Sequence, residues 1–265
     1  MLLKIDLSKA FDNLSWIYIQ KILSAFGFSP TWIRWVMSLI SSSFFSILIN
    51  GIPSSPFQPS RGIKQGEPLS PFLFLLMAEG LGLNIKAALF SQKLRSLSFP
   101  NTLSLTHQQF VEDNMLFGHP SVQEARKFNS LLTDISEVSG AKINKAKSQI
   151  FFFHTPAITQ ASIARIIGFS IVVLPSKYLG APMTDSAMKR SSWRMLLEKL
   201  EARLSSWTYR ALNMANHLVL IKAILQSMPL YLFSILAAPK WALKEIKCLQ
   251  RSFLWGNSDK KRKWP

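Results

Sequence analysis

The sequence predicts an α+β fold, an antiparallel sheet with packed helices followed by a helical region. Three observations carry this. Short apolar runs that end in charged or turn-forming residues recur through the first 155 residues, separated by stretches with helical spacing. From about Ser191 to Leu254 the apolar spacing is continuously helical. Pro156, Pro175, Gly180 and Pro182 cluster between the two patterns, so residues 1–155, 156–190 and 191–265 are read as core, connecting segment and helical region.

The elements follow in order. Leu2 to Leu7 is a short apolar run ending in charge, a buried strand. Ser15 to Phe26 spaces Trp16, Ile19, Ile22, Leu23 and Phe26 on one helical face, and Gly27 stops it. Pro30 to Ile40 repeats the pattern with Trp32, Trp35, Val36 and Leu39. Phe44 to Asn50 reads as a strand entering the Asn50-Gly51 turn. Pro71 to Lys86 is a strongly apolar helix. Leu105 to Phe117 reads as a hairpin bent at Glu112-Asp113-Asn114. Ser121 to Val138 is an amphipathic helix closed by Gly140, and Ser148 to Phe153 is a strand. Leu218 to Pro239 has the length of a membrane span but contains Lys222, Gln226 and Pro229. It is read as a buried helix pair split at Pro229.

With 48% apolar residues the chain can bury a sizeable core, which excludes wholesale disorder. Its 31 basic residues against 14 acidic leave a formal charge of +17, which favours a polyanionic partner, nucleic acid ahead of an anionic membrane. Cys248 is the single cysteine, so no internal disulfide and no cysteine-based zinc site can form. The expected setting is intracellular, nucleus or cytoplasm, with no membrane partner and no disulfide partner. The tail from Asp259 to Lys263 is read as a solvated basic end.

Asp6 ends a buried strand, and Glu112 and Asp113 sit at the hairpin bend. If those strands are neighbours, three carboxylates converge in a cage for two hard divalent cations. Two such ions clamp the attacking and leaving oxygens of a phosphoryl transfer. Taken one at a time, each acid reads better as a solvated strand end on the surface.

Three strings give these residues a context: Lys4-Ile5-Asp6-Leu7-Ser8-Lys9-Ala10-Phe11-Asp12, Arg61-Gly62-Ile63-Lys64-Gln65-Gly66-Glu67-Pro68-Leu69-Ser70-Pro71, and Phe110-Val111-Glu112-Asp113. Together they resemble the polymerase core of LINE-type (non-LTR) retrotransposon reverse transcriptases, especially the plant elements. Ser139 to Ser148, Tyr178-Leu179-Gly180 and the stretch from Ser205 to Trp255 extend the resemblance. It implies a reverse-transcriptase palm followed by a helical thumb, with fingers absent, as in a piece of a larger element. It implies RNA-directed DNA synthesis from an RNA template and DNA primer, or an RNA–DNA hybrid, using deoxynucleoside triphosphates and two Mg²⁺ ions, with Mn²⁺ as a substitute. The metal ligands it implies are Asp6, Glu112 and Asp113, with Lys147 as proton donor near the departing pyrophosphate. Phe11 screens the sugar for a 2′-hydroxyl, and Arg61, Gly62, Gln65 and Gly66 line the nucleotide pocket. Read without the resemblance, Phe11 is core and Lys147 is a surface lysine.

The third string departs from the family's F-A-D-D. Val111 replaces a small residue, and Glu112 replaces an aspartate and extends its carboxylate by a methylene, about 1.5 Å. A displacement on the order of 1 Å can lower a rate about 100-fold, so impaired or absent chemistry is expected. The alternative is a non-catalytic relic that binds RNA or RNA–DNA hybrid through its basic charge. The tryptophans Trp193, Trp207, Trp241 and Trp255 are read as core rather than as base-stacking platforms.

Overall fold

The computed structural model describes residues 1–98, 104–184, 190–205 and 213–255. The basic tail, Trp207 and Ser206 lie outside the described residues. In chain order the elements are β1 (Leu2–Ser8), α1 (Trp16–Ala25), α2 (Pro30–Ser41), β2 (Leu48–Ile49), β3 (Ile52–Pro53), α3 (Ser70–Phe90), β4 (Leu97–Ser98), β5 (Ser104–Leu105), β6 (His107–Phe110), β7 (Asp113–Phe117) and α4 (Val122–Ser139). There follow β8 (Lys142–Ile143), β9 (Gln149–Phe151), α5 (Ala157–Ile167), β10 (Ser170–Ile171), β11 (Ser176–Tyr178), β12 (Ala181–Met183), α6 (Arg190–Ser205), α7 (Met214–Leu220), a π-helical turn (Ile221–Leu225), α8 (Ser227–Ile235) and α9 (Lys240–Leu254). The chain divides into two compact units, Met1–Val173 and Leu174–Pro265, so the division falls inside the expected connecting segment.

Local chemistry explains the helix boundaries in the first unit. Ser15, Ser29 and Ser121 each accept a hydrogen bond from the backbone N–H three residues on, which satisfies a donor the helix leaves free. Pro30 opens α2, where its fixed φ suits the first turn. Gly140 closes α4 in the left-handed conformation at φ 77°. A Cβ there would stand 2.4 Å from the Asn13 carbonyl oxygen, so only glycine brings the end of α4 against the segment after β1.

The central sheet runs β10-β9-β1-β7-β6, with β8 pairing the far end of β1. β1 is antiparallel to β7, β8 and β9. Because strand side chains alternate, the sheet has two unlike faces. One carries Leu3, Ile5, Leu116 and Ile150, which are buried with Leu81 and Ile85 of α3, Phe128 and Leu132 of α4, and Ile163 and Ile167 of α5. The other carries Lys4, Asp6, Asp113 and Gln149, together with the buried Leu2, Met115 and Phe151. A second core, formed by Leu14, Ile19, Leu23, Val36, Leu73 and Phe74 among others, joins α1, α2 and α3.

In the second unit Trp193, Leu197 and Leu200 of α6 pack with Ile221, Leu225, Ile246 and Phe253. Trp193 is core as expected, and Trp241 is partly buried against it. Trp255 is 62% exposed, against the expectation that it is core, because it caps the end of α9 beyond the packed face. The stretch from Met214 to Ile235 also departs from its expected form. It is a continuous helical run, and only 17% of its apolar window is buried. Pro229 does not split it. A proline has no N–H for the carbonyl four residues back, and the chain meets this one turn upstream with the π-helical turn, where Gln226 N–H bonds the Ile221 carbonyl. Among the described residues this run and α3 are long and apolar enough to cross a membrane by length and composition.

Three further expectations are corrected. Residues 156–190 are not a plain connection, since α5, β10 and the β11–β12 hairpin lie within them. The strand expected from Phe44 to Asn50 is reduced to Leu48–Ile49, with a separate bridge from Phe45 to Phe57. The hairpin bends at Val111-Glu112 rather than at Glu112-Asp113-Asn114. Both Asp113 and Asn114 are already in β7, paired with Phe110 and Gln109.

Candidate active site

That register decides the site. Asp6 and Asp113 are direct cross-strand partners on β1 and β7. Directly opposed residues hold their Cβ atoms about 4.5–5.5 Å apart on one face of the sheet. Both aspartates are half-buried.

The backbone of Asp6 is held from the other side by the segment after β8. The Asn144 N–H donates to the Asp6 carbonyl at 2.9 Å, and the Asp6 N–H donates to Ser148 Oγ at 3.1 Å. Ser148 is fully buried, and its hydroxyl donates in turn to the Asn144 carbonyl at 2.8 Å. Asn144 and Ser148 are site-building residues that side-chain chemistry alone does not reveal. Their signal in the sequence is the Ile143-Asn144 and Lys147-Ser148 spacing of the family motif. Lys147, in the same turn, is exposed, with its N–H bonded to Asn144.

The second string docks directly on the first. The Gly62 N–H donates to the Leu14 carbonyl at 2.7 Å, and the Ile63 N–H to the Phe11 carbonyl at 2.9 Å. Trp16 Nε1 donates to the Gly62 carbonyl at 2.7 Å. Gly62 has φ 86°, and a Cβ there would lie 2.6 Å from the Asp12 carbonyl oxygen. Glycine is required on both counts. Gln65 Nε2 reaches Asp12 Oδ1 at 3.4 Å. Phe11 stacks on Phe74 of α3, with ring centroids 4.8 Å apart and planes 9° from parallel. The ring is half-buried, with one face backed by core. Arg61, Gln65 and Gly66 are exposed.

Glu112 is not brought in as a third ligand. It lies in the two-residue turn and is exposed. Among the described residues no group of three His, Cys, Asp or Glu side chains is placed to hold a metal ion. The expected three-carboxylate convergence is therefore a pair, because the turn begins one residue earlier than the sequence pattern suggests. A pair of carboxylates still fits Mg²⁺, which takes one or two protein carboxylates and completes its octahedron with water and substrate phosphate.

The sequence matches the family described as reverse transcriptase (RNA-dependent DNA polymerase) over residues 1–183. The Pol polyprotein of the type-2 retrotransposable element R2DM from Drosophila melanogaster is 40% identical over 77 residues, covering 29% of this chain and 7% of that protein. The R2 Pol polyprotein of Popillia japonica is 29% identical over 117 residues, 41% of this chain and 19% of that one. The 149 kDa protein of transposon TX1 from Xenopus laevis is 24% identical over 96% of this chain and 19% of its own length. The chain thus spans less than a fifth of these relatives. Among solved structures, telomerase from Candida tropicalis in complex with a fragment of telomeric RNA superposes with a TM-score of 0.52 at 13% identity, covering 98% of this chain and 40% of that one. The relatives named here are proteins of retrotransposable elements and a transposon, and the chain belongs to the reverse transcriptase family. Its α+β architecture is that of the palm and thumb.

Proposed function

We propose that this chain is an RNA-directed DNA polymerase core with weakened chemistry, working on an RNA template and DNA primer with deoxynucleoside triphosphates. The observation that carries the reading is Asp6 facing Asp113 across β1 and β7, both half-buried on one face of the sheet. In this reading Asp6 and Asp113 hold Mg²⁺ or Mn²⁺, and the bound ions supply charge stabilisation for nucleotidyl transfer. Phe11, backed by Phe74, presents a fixed ring to the sugar. Arg61, Gly62, Gln65 and Gly66 border the nucleotide, and Lys147 stands as proton donor to the leaving pyrophosphate. Glu112, exposed on the adjoining turn and longer by a methylene than the family's aspartate, would be an imperfect third ligand. The setting is intracellular, nuclear or cytoplasmic.

Primer extension on an RNA template with Mg²⁺ or Mn²⁺ tests this, with the parent beside Glu112→Asp and Asp6→Asn. The expected result is weak extension by the parent, a gain on the order of 100-fold in Glu112→Asp, and none in Asp6→Asn. Silence from parent and Glu112→Asp alike, with both folded and both binding RNA–DNA hybrid in a salt-dependent way, sinks the polymerase reading and leaves the binding relic.

A further inference from the structure

Asn114 follows Asp113 in β7, so alternation turns it to the opposite face, into the core. Its cross-strand neighbours are Ile5 on β1 and Gln109 on β6. It is 1% exposed. Its Nδ2 donates to the Glu112 carbonyl at 3.1 Å. Its Oδ1 is buried and has no hydrogen-bond partner. A narrow cavity of about 30 Å³ beside it is lined almost wholly by apolar atoms, from Ile5, Met77, Leu81 and Val111 among others. An amide with one end unsatisfied in such a place costs stability rather than adding it. The single bond it does make falls on the turn that precedes Asp113.

That turn needs holding. Val111 has φ 51°, a conformation that β-branched residues avoid. Such strain persists only where the surroundings enforce it, and it clusters at functional sites. β6 is tied down separately, since Gln109 Nε2 donates to the Ala78 carbonyl of α3 at 3.2 Å. The Val111-Glu112 turn itself has Asn114 as its side-chain tether from the core.

We propose that Asn114 is a positioning residue, a buried latch that holds the strained Val111-Glu112 turn and so keeps Asp113 opposite Asp6. It acts through the main chain and touches neither substrate nor metal. The latch is a property of the turn and stands whether or not the chain polymerises. Its consequence for metal rests on the polymerase reading above.

Asn114→Leu separates a latch from an ordinary core residue, because Leu fills the site and removes the unsatisfied oxygen. The expected result is a thermal midpoint no lower than the parent's, with faster amide hydrogen exchange at Glu112 and Asp113 while Leu3 and Leu116 keep their protection. Unchanged exchange at the turn overturns the proposal, and so does loss of protection spread evenly along β1. If the variant does not fold, the parent decides. Asn114 side-chain amide protons that exchange slowly support the latch, and protons exchanging as fast as those of exposed Asn50 overturn it. Mn²⁺ binding, followed by water-proton relaxation, is expected to weaken about 10- to 100-fold in Asn114→Leu. Equal Mn²⁺ binding by both proteins overturns the positioning role. Absence of Mn²⁺ binding from both, with the exchange difference present, removes the metal reading and leaves the latch.

Discussion

The two strand ends that carry the facing aspartates are held in different ways. Asp6 has its N–H on Ser148 Oγ and its carbonyl on the Asn144 N–H, and further along the same segment Gly62 and Ile63 bond the main chain at Leu14 and Phe11. Its position is over-determined by segments far apart in sequence. The facing strand, β7, instead begins at a two-residue turn with a valine in the left-handed region and a buried amide as its side-chain tether. Asp6 is held by one backbone bond and one buried hydroxyl, on both of its main-chain polar groups. The turn depends on a few side chains, and both departures from the family's F-A-D-D fall there, at Val111 and Glu112.

Breaking the Asp6 end gives the largest expected effect. Gly62→Ala places a methyl 2.6 Å from the Asp12 carbonyl at φ 86°. It is expected to destabilise the first unit by roughly 2–4 kcal/mol, read as a fall in the urea midpoint. A loss below about 0.5 kcal/mol, the scale of a neutral surface change, means the second string is not docked as described. Ser148→Ala removes the hydroxyl that joins Asp6 to Asn144, and is expected to cost about 1–3 kcal/mol. An unchanged urea midpoint here argues that the Asp6 clamp rests on its backbone bond alone.

The turn gives a change of opposite sign. Val111→Gly relieves the left-handed strain, of order 1–3 kcal/mol, against an entropic penalty of about 0.5–1 kcal/mol for glycine. A net gain of about 1 kcal/mol is expected by chemical denaturation. A loss instead means that the valine side chain contributes more by packing than its backbone costs.

The smallest effect is one of pH. His107, on β6, is held below its ordinary pKa, first by burial and then by the Lys86 ammonium, with Glu79 opposing. The unfolded chain therefore takes up the proton first as pH falls. Its contribution is fully present above the unfolded value of about 6.5 and is lost as pH drops through the lower folded value. Stability of the parent is expected to decline across that window more steeply than that of His107→Gln. Parallel slopes for the two proteins show that His107 is not the group responsible.

Much of the architecture is legible in the sequence. The serine caps, Pro30 at the start of α2 and Gly140 after α4 are local signals, and local signals survive wherever the chain goes. The three strings and their order mark the site for the same reason, as fixed residue types at short spacings. The run from Met214 to Ile235 shows the limit. Its apolar composition reads as burial, yet most of it is exposed, because burial depends on what packs against a helix.

What the sequence determined by itself is the inventory: an α+β chain with a strand ending in Asp6, a glycine-marked string that needs close backbone approach, and a carboxylate hairpin. What only the tertiary structure decided is register. A slip of one residue in the β6–β7 turn sends every following side chain to the other face of the sheet. By that slip Asp113 comes to face Asp6, Asn114 enters the core, and Glu112 is left on the turn, outside the pair. No periodicity encodes that choice, because it is settled by which face α3 and α4 bury.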